Sequence, residues 1–234
     1  MSNLDYAAKQ LNKIRNRIND AAQAVGRDAD SIRLIGASKV QPPELIADFA
    51  TKGLRDIGEN YLQEAIDKKA QLSRQDLQWH FIGHIQSNKT KLIAQNFDWV
   101  HGVDRLKIAA RLGQHSLPAE PVNILVQINL DAEQSKSGVV PSEVAELCDQ
   151  ISQLSNVSLR GFMTIPKPRK DFDAQKAAFQ TAQELMLSTN QRYGLSLDQL
   201  SMGMSNDLEA AIAAGSTMIR VGTALFGARA SQHQ

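Results

Sequence analysis

The chain has 234 residues, 42% of them hydrophobic and 22% charged, with 26 basic against 25 acidic side chains and a formal net charge of +1. That length suits one large domain with a full core, and the near-neutral balance lacks the electrostatic footprint of a nucleic-acid binder, so a small ligand is the expected partner. Cys148 is the only cysteine and cannot form an internal disulfide, residues 1–20 are charged and amphipathic rather than a signal-peptide core, and no run approaches the roughly 20 apolar residues of a membrane span, so a soluble cytoplasmic protein that does not engage membranes is expected.

Leu4, Ala7, Leu11, Ile14, Ile18, Ala21 and Val25 recur at steps of three and four, which places them on one face of a long opening helix that Gly26 ends. Arg33–Ser38 is short and mostly apolar, and Pro42, Pro43 and Glu44 behind it open a helical pattern through Phe49, giving strand, loop, helix. The unit recurs as Arg55–Gly58 before a helix from about Tyr61, His80–Gly83 before one from about Asn88, and Trp99–Val103 before one from Asp104. Val122–Asn129 is the clearest buried strand and precedes a helix from about Pro141, while Ser158–Ile165 precedes a long helix from about Phe172. Leu200–Ser205 leads into Asn206–Ala214, and Met218–Gly222 is an eighth strand with a short tail.

Eight alternations exceed the usual count of the rival architecture, a doubly wound open sheet, and no Gly-x-Gly-x-x-Gly follows the first strand. No linker or low-complexity tract divides the chain, although the loop Ile165–Asp171 is basic and stiffened by proline. The expectation is a single (β/α)8 TIM barrel over residues 1–234.

In such a barrel, ligands sit where strands end at their C-terminal side. Lys39 follows the apolar run Leu34–Ala37, and desolvation favours the neutral, nucleophilic form of an amine. Taken alone it reads first as a lysine snorkelling out of a strand end. Ser205-Asn206-Asp207 begins a helix directly after a strand, so a hydroxyl and unpaired N–H groups would face the mouth where barrels commonly build phosphate sites. Gly222-Thr223 offers close backbone approach and another hydroxyl, and Arg220 shares an inward face with Gly222. Each has a plainer reading: Ser205 or Asn206 capping a helix with Glu209 completing a capping box, and Gly222 merely packing. His80 and His84 are spaced for a helical metal pair but lie on a strand running into a loop, with no third ligand nearby, so no metal is expected.

Seven short words occur in order at these strand ends: Ala37-Ser38-Lys39, Gly58-Glu59-Asn60-Tyr61, Trp79-His80-Phe81-Ile82-Gly83, Gln86-Ser87-Asn88-Lys89, Ser135-Lys136-Ser137-Gly138, Gly203-Met204-Ser205 and Arg220-Val221-Gly222-Thr223. Together they resemble the pyridoxal phosphate homeostasis protein family almost end to end. The resemblance implies the fold of the alanine racemase N-terminal domain (fold type III of the pyridoxal phosphate proteins), with Lys39 as the Schiff-base lysine. It further implies that Ser205 and the backbone at Gly222 and Thr223 hold the phosphate, with Arg220 near the pyridine nitrogen. Arginine only donates, so the ring would stay uncharged and act as a weak electron sink. Asn60 and His80, at the ends of the second and third strands, are expected either to line the ring pocket or to satisfy buried backbone groups.

Two positions depart from many relatives: Val40 stands where threonine is common, and Gln41 where some have a second lysine, which puts in doubt a second cofactor contact from this loop. Lys136 matches a family word, yet an exposed lysine beside serines usually just solvates the surface. The family implies a carrier or buffer of pyridoxal 5'-phosphate, not a conventional enzyme, that serves apo-enzymes dependent on the cofactor. The alternative is an amino-acid racemase or another enzyme using the same cofactor. Racemases of this fold take a second base, a tyrosine, from a β domain after the barrel, and this sequence stops at Gln234 soon after Phe226-Gly227, so that domain and its dimer interface are expected to be absent and the protein monomeric.

Overall fold

A computed structural model describes residues 2–227 apart from 73, 75, 134 and 135; Ser135, in one of the words quoted above, therefore lies outside the described residues. In chain order the elements are α1 (Asn3–Gln23), β1 (Arg33–Ala37), α2 (Pro43–Thr51), β2 (Asp56–Glu59), α3 (Leu62–Leu72), β3 (Gln78–Phe81), α4 (Thr90–Asn96), β4 (Trp99–Val103), α5 (Leu106–His115), β5 (Val122–Ile128), α6 (Pro141–Ser152), β6 (Val157–Thr164), α7 (Phe172–Tyr193), β7 (Gln199–Ser201), α8 (Leu208–Ala213), β8 (Met218–Val221) and α9 (Thr223–Phe226). The eight strands run parallel in sequence order, and β1 pairs with both β2 and β8, which closes the sheet into the barrel that the alternation of elements predicts.

Local chemistry sets the helix starts. Ser2 caps α1 in a reciprocal capping box with Asp5, a feature worth about 1 kcal/mol. Pro43 and Pro141 occupy first-turn positions, where the missing N–H costs nothing, and Asp171 caps α7 by accepting from the Ala174 N–H. α1 buries Ala7, Leu11, Ile14, Ile18 and Ala21, whereas Leu4 and Val25, at the two ends of its apolar face, are exposed; the helix stops at Gln23, before Gly26 turns the chain at φ +66°. The helix after β8 has only four residues, and α1 takes the place of a full eighth helix by packing against α2, α8 and α9.

Inside the barrel, Ile35, Trp99, Leu125, Met163 and Met218 form an apolar cluster, while the larger core lies between strands and helices. The β5–β6 register shifts between Ile124 and Leu125, opposite Gly161 at φ +151°; a Cβ at Gly161 would run into the Gln199 carbonyl of β7, so only glycine lets the three strands close up there.

Most strand ends fall within one residue of expectation, and two strands differ by more. β3 begins at Gln78 rather than His80, so position 80 lies inside the strand. β7 ends at Ser201 rather than Ser205, because the chain leaves the ladder and turns through Gly203 at φ +93°, and α8 accordingly starts at Leu208. Among the described residues no helix is long and apolar enough to cross a membrane.

Candidate functional site

The C-terminal ends of the strands surround a cleft of about 630 Å³, within the range of small-ligand sites. Of the side chains singled out from the sequence, Lys39, Asn60, Ser205, Arg220, Gly222 and Thr223 all line it. A second hollow, which shares Asn60, Ile82 and Ile165 with it, is walled by His84, Gln127 and Lys136.

Lys39 follows β1 on a half-buried turn and makes no hydrogen bond or ion pair among the described residues. The turn itself is tied down by groups the sequence did not announce. Lys68, 5% exposed on α3, donates to Glu59 Oε1 at 2.7 Å, to Glu64 Oε1 at 2.6 Å and to the Ser38 carbonyl at 2.8 Å. The Ser38 hydroxyl donates to the same Glu59 oxygen at 2.6 Å, and the Val40 N–H donates to Glu64 at 2.5 Å. Both neighbours of Lys39 are thereby anchored to one buried ion cluster. Val40 sits at φ +63°, a conformation costing a β-branched residue about 1–2 kcal/mol, which the cluster offsets. Burial pushes the Glu59 carboxyl up despite the hydrogen bonds from Lys68 and Ser38, and its Oε2 has no partner among the described residues.

Arg220 rises from β8 into the cleft wall at 5% exposure. It donates from Nη1 to Ser201 Oγ at 2.6 Å and from Nη2 to the Thr164 carbonyl at 3.1 Å, leaving the other N–H groups of the fork free of protein acceptors among the described residues. Burial lowers its pKa to about 10, still well above neutrality, so the side chain remains a cation and a donor.

Across the cleft, the N–H groups of Ser205 and Asn206 have no partner among the described residues. Thr223 and Ala224 head α9, where first-turn N–H groups have no intrahelical acceptor. A Cβ at Gly222 would approach the Ala37 carbonyl to 3.3 Å, so glycine keeps this wall open. The capping box proposed for Glu209 does not form: Glu209 pairs with Arg17 of α1 at 2.7 Å, and the same arginine donates to the Ser205 carbonyl at 2.9 Å. The Met204–Asp207 turn is held instead by Asp207, which accepts from the Met204 N–H at 2.6 Å.

His80 is placed elsewhere. It is fully buried inside the barrel, stacked on Trp99 with ring centroids 5.8 Å apart and planes at 9°, and it contacts Asp56 and His101 rather than the cleft. The physical reason is its register beside Gly58 and Trp99, one residue short of the strand end, where an inward side chain points into the barrel layers. His84 is separate and approaches the Ser137 hydroxyl at 3.2 Å. Lys136 is more than a solvated lysine, since it pairs with Glu133 at 2.7 Å on the rim.

The profile of the alanine racemase N-terminal domain family matches residues 9–230. The pyridoxal phosphate homeostasis protein of Pseudomonas aeruginosa is 51% identical over 223 residues, 95% of this chain and 95% of that protein. Its namesake from Escherichia coli is 45% identical over 230 residues, 95% and 96% of the two chains. Among solved structures, PipY of Synechococcus elongatus with pyridoxal phosphate (PLP) bound superposes with a TM-score of 0.81 at 34% identity, over 94% of this chain and 100% of that one. An alanine racemase from Clostridium difficile, 17% identical with a TM-score of 0.71 over 97% of this chain and 58% of its own, shares the fold.

Proposed function

The chain belongs to the pyridoxal phosphate homeostasis protein family, and from that membership we propose that it binds pyridoxal 5'-phosphate at the barrel mouth, attached covalently through Lys39, and serves to buffer and carry this reactive aldehyde. One observation carries the reading: a single cleft of about 630 Å³ gathers a partner-free amine, two hydroxyls, free backbone N–H groups and a buried guanidinium. Such donors fit an anionic heteroaromatic aldehyde. The hydroxyls of Ser205 and Thr223 and the backbone at Gly222 receive the phosphate, Arg220 donates to the ring nitrogen, and Asn60 borders the ring.

When bound, the cofactor supplies an electron sink whose strength depends on a proton at its pyridine nitrogen. Arg220 withholds that proton, because it stays a cation that can only donate a hydrogen bond. A racemase would also need a base on the face opposite Lys39. Among the described residues lining the cleft none is a tyrosine, histidine or cysteine, and the one carboxylate, Asp207, accepts the Met204 N–H at Oδ1 and braces the Met204–Asp207 turn. These features support a carrier over a racemase. The remaining parts of the proposal are that residues 1–234 act as one domain, monomeric and cytoplasmic, with apo-enzymes that require the cofactor as recipients.

The test is an absorbance spectrum of purified protein before and after borohydride reduction, with the modified lysine located by mass spectrometry. The wild type is expected to carry a reducible visible band and an adduct on Lys39, and Lys39→Ala is expected to lose both while keeping its fold. An adduct of equal yield in that variant would show that another lysine is the nucleophile.

A further inference from the structure

An unbroken line of hydrogen bonds runs down the inside of the barrel from the cleft, and carrier chemistry makes no use of it. Arg220 Nη1 lies 2.6 Å from Ser201 Oγ, which lies 2.9 Å from His101 Nδ1. His101 Nε2 lies 3.0 Å from His80 Nδ1, and His80 Nε2 lies 2.9 Å from Asp56 Oδ1. Five strands contribute one residue each: β8, β7, β4, β3 and β2. Ser201, His101 and His80 are fully buried, and Arg33 closes the lower end with an ion pair to Asp56 at 3.1 Å.

The two ends dictate every proton between them. A guanidinium only donates and a carboxylate only accepts. Burial works against the charge of Asp56, yet the hydrogen bond from neutral His80 and the hydrogen bond and charge of Arg33 hold its carboxyl below the ordinary range, so it is ionised at neutral pH. His80 must therefore carry its proton on Nε2. Its Nδ1 then presents a lone pair and must receive the Nε2–H of His101, which leaves His101 Nδ1 bare to accept the Ser201 hydroxyl proton. That turns the Ser201 lone pairs towards Arg220. Reversing any one link would set two lone pairs or two protons face to face and strand a buried polar group. Burial also keeps both imidazoles neutral, as the chain requires.

We propose that Asp56, His80, His101 and Ser201 are positioning residues for Arg220, forming a one-way donor chain anchored at the far end of the barrel that fixes where the guanidinium stands and which N–H groups it presents to a heteroaromatic nitrogen. The inference rests on the reading that Arg220 faces the ring of pyridoxal phosphate. It also gives buried His80 a role three hydrogen bonds away from the guanidinium.

The first test needs no cofactor. In protein labelled with 15N-histidine, nitrogen–proton correlation spectra at pH 7 are expected to show His80 and His101 both neutral and both protonated at Nε2; an Nδ1–H tautomer or a charged ring at either position would overturn the chain. This measurement stands even if the variants fail to fold. The second test compares Asp56→Asn, which releases the fixed acceptor, and Ser201→Ala, which cuts the last link. In protein loaded with 15N-pyridoxal 5'-phosphate, both variants are expected to move the ring-nitrogen signal and to raise the dissociation constant about two- to tenfold. Ser205→Ala is expected to weaken binding without moving that signal. If Arg220→Gln moves the ring signal but Asp56→Asn and Ser201→Ala do not, the chain has no positioning role and the proposal falls alone. If Arg220→Gln is silent as well, the placing of Arg220 against the ring falls, and the proposal with it.

Discussion

Lys68 Nζ donates to the carbonyl oxygen of Ser38 at 2.8 Å, directly behind the residue that carries the candidate nucleophile. A buried cation beneath a turn is costly unless every partner is in place, and here Glu59, Glu64 and the Ser38 carbonyl supply them. Removing the cation leaves Glu59 buried and unpaired. Lys68→Met is therefore expected to lower unfolding stability by about 3 kcal/mol in urea titrations and to reduce the borohydride-trapped adduct on Lys39. Adding Glu59→Gln should restore part of the stability. A single variant as stable as wild type would mean that the cluster does not hold the turn.

The buried histidines give stability a pH dependence whose sign is fixed. In the folded protein His80 and His101 lie below their ordinary range because burial disfavours the imidazolium. In the unfolded chain they titrate near about 6.5. Below that pH the unfolded state binds more protons than the folded one, so stability falls with acidification, by up to about 1.4 kcal/mol per pH unit for each histidine. Urea midpoints at pH 7.5 and 5.5 should show the loss. Glu59, raised by burial, acts in the opposite sense, and Glu59→Gln serves as the control. A flat profile in that control would contradict neutral histidines in the barrel.

Affinity should depend on the phosphate. At pH 7 a phosphate ester carries about −1.5 to −2 charges and strong acceptor oxygens, matched here by the Ser205 and Thr223 hydroxyls and free backbone N–H groups. Ser205→Ala is expected to raise the dissociation constant about two- to tenfold, and the phosphate-free aldehyde pyridoxal should bind far less tightly. Equal affinity for both aldehydes in a fluorescence titration would remove the phosphate from this cleft.

Proton exchange at Cα of L-alanine in deuterated solvent should be negligible with excess loaded protein. A positioned base is typically worth about 10²–10⁴-fold, and the described lining residues offer no tyrosine, histidine or cysteine to serve as one opposite Lys39. Exchange followed by NMR at enzyme-like rates, on the order of 1–10³ per second, would restore the racemase reading.

Much of the architecture was legible because its signals are local. Trp99–Val103 matches β4 from end to end, and Pro141 and Phe172 open α6 and α7 as their patterns suggest. The gathering of Lys39, Asn60, Ser205, Arg220, Gly222 and Thr223 into one cleft was also within reach, since barrel closure brings all strand ends together. What stayed hidden depends on tertiary placement. Glu64 and Lys68 have the i, i+4 spacing of an ordinary solvated helix pair, and nothing local says that this pair is buried under a turn. The line from Asp56 to Arg220 joins five strands, and only the closed barrel sets their side chains in sequence. Whether His80 faces the cleft or the barrel interior was not legible either, because its partners Asp56 and His101 come from the neighbouring strands β2 and β4.

The pairing of Arg33 with Met218 across the β1–β8 seam has a consequence for how the chain is made. A ribosome releases β8 only after β1 and the six strands between them, so the seam cannot zip until all eight strands have been made. Until then α1 has α2 to lean on, gains α8 only late and lacks α9, so its stripe of Leu11, Ile14 and Ile18 is left partly uncovered. Long-range closure of this kind is slow and exposes sticky surface. A stalled or truncated chain lacking β8 should accordingly be a chaperone client and a target for proteolysis, even though every earlier βα unit is already complete.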